Sequence, residues 1–104
     1  MNENKDLKKM LTFIKNTIED NIRTLRRKYK YRILENNSKY IKFKIEEYNY
    51  ITISKYNNQN IHINIDKIIT INEINLIQGL VKLYEEEIHI QKVLKNGTGT
   101  NGTK

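Results

Sequence analysis

The chain has 104 residues, 30% charged and 38% hydrophobic, with a net charge of +7 and neither cysteine nor proline. That is one domain with a modest core, and it excludes a disulfide framework and thiolate metal sites. No apolar run approaches the ~18 residues of a membrane span. The opening MNENKDLKKMLTFIKN carries charge throughout rather than the apolar centre of a secretory signal. The expected location is therefore the cytoplasm of a bacterium or of an infected host cell. Ile, Asn, Lys and Tyr, all with A/T-rich codons, are abundant. The expected source is an AT-rich genome such as a low-GC bacterium, its phages or its plasmids.

Residues 3–27 predict a helix. Leu7, Leu11, Ile14, Ile18, Ile22 and Leu25 recur at spacings of four and three and form one apolar stripe. Asp6 near its start and Arg26 and Arg27 near its end suit the helix dipole. At ~1.5 Å per residue such a helix overhangs a small sheet. Its stripe is nearly heptad-spaced, which predicts pairing with a second copy as a homodimer.

From Tyr29 to Ile68 the period changes to two. Ile41, Phe43 and Ile45 form one strand, Ile51 and Ile53 a second, and Ile61, Ile63 and Ile65 a third, with a further strand over Tyr29–Leu34. Asn36–Ser38 and Asn57–Asn60 are the turns. The pattern is an antiparallel meander of three to four strands, Ile-rich inside and polar outside.

Thr70 and Glu73 have the spacing of a capping box, with Ile69 and Ile74 as its staple. A second helix follows. Ile74, Ile77, Val81, Tyr84 and Ile88 form its seam, with Leu76, Leu80 and Leu83 beside it. Gly79 marks a close approach. Residues 88–94 continue the helix, because Lys92, Lys95 and Gly97 give it a sensible stop. The fold class is α+β, the sheet flanked by a long N-terminal helix and a C-terminal helix. Residues 1–95 make the domain, and the NGTGTNGTK tail, 96–104, is expected to be disordered.

The charge is concentrated. Residues 23–44 hold nine cations, Arg23, Arg26, Arg27, Lys28, Lys30, Arg32, Lys39, Lys42 and Lys44, against the single acid Glu35. This stretch carries +8, so the rest of the chain sums to −1. It contains every Arg in the protein, interleaved with Tyr31 and Tyr40. On the outward strand positions Tyr40, Lys42 and Lys44 stand beside Tyr50 and Thr52. Cations displace counterions from phosphates, and flat rings stack on bases. A basic run is equally the composition of a solvated face, and Tyr and Thr are good strand formers in any exposed sheet.

Catalytic chemistry is not visible. His62 and His89 lack the further ligands that zinc requires. The glycines of the tail form no phosphate loop, and Glu85, Glu86 and Glu87 point in different directions round a helix. No metal and no cofactor is expected, and no enzyme. The order of elements coincides with that of double-stranded-RNA-binding domains. Those domains begin their second helix with a Lys-rich segment, whereas TINEINLIQ has no Lys, so no family is assigned.

The expected function is a small non-enzymatic nucleic-acid-binding protein, a regulator or accessory factor of a phage or plasmid. Phosphates would lie against the nine cations, and bases would stack on Tyr31, Tyr40 and Tyr50. Two other classes fit the same residues. One is a phage-encoded inhibitor of a host defence nuclease, binding an acidic or nucleic-acid-binding protein. The other is an oligomeric interaction module.

Overall fold

A computed structural model describes residues 2–46, 48–55, 61–65 and 68–101. The turn expected at Asn57–Asn60, Tyr56 beside it, and tail residues 102–104 lie outside the described residues. The elements are α1 (Asn2–Arg27), β1 (Arg32–Asn36), β2 (Tyr40–Glu46), β3 (Asn49–Ser54), β4 (Ile61–Asn64) and α2 (Ile71–Asn101). The sheet is an antiparallel meander in the order β1-β2-β3-β4. Both helices cover its Ile face, so the architecture is the expected α+β arrangement with all four strands present.

The core follows the period-two pattern. Ile41, Phe43, Ile45, Ile51 and Ile53 point inward and are buried. They meet Ile14, Ile18 and Leu25 from α1 and Ile77, Leu80 and Tyr84 from α2. The apolar stripe of α1 is thus occupied within the chain, by α2 and the sheet. The expected dimer contact along Leu7–Leu25 is not free, because Ile14, Ile18 and Leu25 are each buried in their own core. On β4, Ile63 stays 53% exposed, which departs from the uniformly buried Ile face. It sits on β4, an edge strand of the sheet.

The start of β1 departs from the alternation over Tyr29–Leu34, and the helix exit explains why. The Tyr31 N–H donates to the Leu25 carbonyl at 3.0 Å, and Lys30 turns through the left-handed region at φ 65°. Residues 29–31 therefore form the turn that leaves α1, and pairing with β2 begins at Arg32. The strand ends later for a local reason as well: Asn37 Oδ1 accepts the N–H groups of Lys39 and Tyr40 at 2.8 and 3.0 Å. This is an Asx turn, which fixes the corner by itself.

At the start of α2 the capping box closes in both directions. Glu73 N–H donates to Thr70 Oγ1 at 3.2 Å, and Thr70 N–H donates to Glu73 Oε2 at 2.9 Å. At Gly79 a Cβ would stand 3.2 Å from the Asn21 amide, so the two helices approach closely there. Residues 88–94 are helical. The backbone of α2 runs on to Asn101, past the domain boundary expected at Lys95. Proline alone would forbid it sterically, and the chain has none.

At ~1.5 Å per residue the helices are roughly 39 and 46 Å long, while a seven-residue strand spans only about 23 Å. The N-terminal half of α1 and the C-terminal half of α2 therefore project past the sheet. The molecule measures 54 × 21 × 20 Å with a radius of gyration of 16.0 Å. A compact chain of this length would give about 13 Å.

Candidate nucleic-acid interface

The basic stretch is anchored by its middle. Tyr31 is 2% exposed; its ring packs edge-on against Phe43 at 5.8 Å, and its hydroxyl donates to Glu73 Oε1 at 2.9 Å. Burial, then the Glu73 carboxylate, pushes its phenol well above the usual tyrosine range. Tyr31 cannot serve as the stacking ring expected of it. It is the bolt that ties the exit of α1 to the cap of α2, and it leaves Lys30 and Arg32 on either side exposed.

Around that bolt the fold gathers part of the predicted set. Arg26, Arg27 and Arg32 line a groove of about 510 Å³ together with Tyr31 and Ile33. It lies where the last turn of α1 meets the edge strand β1. Arg23 stands further back and is partly neutralised by Asp20 at 2.8 Å. Lys28 lies over the ring of Tyr29 at 5.5 Å.

The outward sheet face continues the same surface. Arg32 pairs directly with Lys44, Lys44 with Tyr50, and Tyr50 with Asn64. The next row holds Glu35, Lys42, Thr52 and His62. The Lys42 ammonium sits 5.2 Å above the Tyr50 ring. Tyr40 donates its hydroxyl to Glu35 Oε1 at 2.8 Å, and that hydrogen bond raises its phenol pKa. Glu35, the one acid of the stretch, is thus occupied by a tyrosine. Lys39 lies in the β1–β2 turn, five residues and so about 16 Å along the strand from the Lys44 row at ~3.3 Å per residue, and it does not line the groove.

Like charges directly opposite on a sheet destabilise it, by roughly 0.2–1 kcal/mol. The Arg32–Lys44 pair carries that cost. Among the described residues, Arg26, Arg27, Lys30, Arg32 and Lys44 have no acidic partner within ion-pair distance. Lys30 adds a left-handed backbone, which costs a residue with a Cβ about 1–2 kcal/mol. An anion lying between these groups would relieve the repulsion.

A second cationic cleft was not legible in the chain. Ser38, Lys55, Glu87, Ile88, Gln91, Lys92 and Lys95 line about 680 Å³ between the β1–β2 turn and the projecting half of α2. Lys55 donates to Asn36 Oδ1 and lies 5.4 Å over the Tyr84 ring. Desolvation lowers its pKa, opposed by Glu87. These lysines are far apart in sequence, and no spacing connects them. Among the described residues no three His, Asp or Glu gather as metal ligands, and no helix is long and apolar enough to cross a membrane.

Comparison with known proteins yields no match: no family model, no curated protein and no solved structure matches the chain.

Proposed function

We propose that this protein binds nucleic acid without catalysing a reaction on it, as a regulator or accessory factor of a phage or plasmid. The observation that carries this reading is the unpaired cation cluster at the α1–β1 junction, continued across the Arg32–Lys44 pair onto the Lys42–Tyr50 face. Phosphates lie along Arg26, Arg27, Lys30, Arg32 and Lys44. Bases meet the ring of Tyr50, with Lys42 moving aside to a phosphate, and the ring of Tyr40. Charge supplies most of the affinity, and stacking adds about 1–3 kcal/mol per base.

The test is fluorescence anisotropy with single-stranded and duplex oligonucleotides of matched length. Reversing Arg26, Arg27 and Lys30 together to Glu abolishes binding and leaves the melting temperature close to that of the parent. All three side chains are exposed, so the fold does not depend on them. Tyr50→Ala weakens single strands more than duplex. Binding that survives the triple reversal removes the junction from the interface. Failure of the parent to bind any DNA or RNA moves the reading to an inhibitor whose basic face meets an acidic protein.

A further inference from the structure

The end of the molecule remote from the basic junction carries a different surface. Phe13 is 69% and Met10 51% exposed. Phe13 lies 14 residues before Arg27, roughly 21 Å along α1. Beside these two side chains runs a groove of about 460 Å³ between α1 and α2, with Met10, Ile14 and Ile90 as its apolar wall and Glu85, Glu86 and His89 on its rim. Lys9 flanks Phe13 one turn earlier on α1, and Lys82 stands one turn before Glu86 on α2. Asp6, one turn before Met10, completes this neighbourhood. Its charges nearly cancel, in a chain whose net charge is +7.

From this we infer that the projecting helix pair is a self-association surface, whose occupant is a second copy of this chain. Two molecules of charge +7 repel each other wherever their basic regions face. They can approach only where the local charge is balanced, and the balanced face is also the one with exposed Phe13 and Met10. A two-fold arrangement is self-complementary. It sets Phe13 of one copy into the apolar groove of the other, and Lys9 of α1 against the Glu85–Glu86 rim of the opposing α2. Nucleic acid is a poor occupant for the same reason, since Glu85 and Glu86 would face its phosphates. The inference stands independently of the proposed function. Where both hold, the dimer presents a basic junction at each end, and a long nucleic acid can engage both.

Sedimentation equilibrium over a concentration series tests it. The parent gives a mass of twice 12.5 kDa at micromolar concentration. Phe13→Asp changes an exposed residue, keeps the parent circular dichroism spectrum, and weakens association about tenfold or more. Lys9→Glu and Glu86→Lys each weaken it, and the two together in one chain restore it. A monomer throughout the series, a dimer indifferent to Phe13→Asp, or a double swap that fails to restore association overturns the inference.

Discussion

Tyr31→Phe separates the anchoring role of this residue from a stacking role. Phenylalanine keeps the ring against Phe43 and leaves no cavity, so the change removes the hydroxyl alone. That hydroxyl donates at 2.9 Å to Glu73 Oε1, and Tyr31 and Glu73 are 2% and 7% exposed. A hydrogen bond to a charged group contributes about 1.5–3 kcal/mol, and the variant takes one donor from a buried carboxylate that keeps those of Thr70. The expected loss is about 2 kcal/mol. For a domain of this size it lowers the melting temperature by roughly 8–16 °C. Chemical denaturation followed by circular dichroism measures it. Tyr31→Phe, Glu73→Gln and the double variant form a cycle whose coupling energy isolates the pair. Nucleic-acid affinity, measured well below the melting temperature, stays at the parent value. A stability loss below about 0.5 kcal/mol, the range of ordinary surface substitutions, would refute the bolt. So would a drop in affinity with stability unchanged.

The remaining core and titration behaviour follow from the same geometry. Phe43→Ala, at a fully buried position under Tyr31, costs about 3–5 kcal/mol, a large part of a small domain's stability, and calorimetry reads it as a steep fall in melting temperature. The phenols of Tyr31 and Tyr84 are both raised by burial, with Glu73 and Glu87 adding to the shift. A raised folded pKa contributes stability that is full below the unfolded value of about 10 and is lost as pH rises past it. Of the seven tyrosines, these two therefore ionise only as the protein unfolds in alkali. Phenolate absorbance that rises for all seven in one step, with the circular dichroism still native, would contradict their burial.

The legible parts of the fold are those whose information is local. The capping box at Thr70 and Glu73 joins residues three apart, and the inward strand residues from Ile41 to Ile53 alternate at every second position. The burial of Tyr31 is not legible in this way: it lies just ahead of β1, and its hydroxyl is held by a residue distant in the chain. That partner is 42 residues away, and the same residue type in a basic run also fits a stacking ring. The boundary of β1 depends on a single left-handed residue, Lys30, and lysine gives no signal for that conformation as glycine would. The charge of the candidate interface could be counted, but its grouping could not. The turn sets Lys39 apart, Asp20 engages Arg23, and the register brings Arg32 opposite Lys44. The cleft of Lys55, Lys92 and Lys95 exists only because α2 runs past the end of the sheet.

The salt dependence of nucleic-acid affinity bears most directly on the central claim, that the junction and its sheet face form an electrostatic binding surface. Anisotropy titrations of one duplex across a salt series give the number of phosphates neutralised. With Arg26, Arg27, Lys30, Arg32 and Lys44 each meeting one phosphate, log affinity falls against log salt with a slope of roughly −4 to −5. The triple reversal at Arg26, Arg27 and Lys30 abolishes the signal. A parent protein that binds neither DNA nor RNA at about 50 mM salt, where such contacts are strong, would contradict the account.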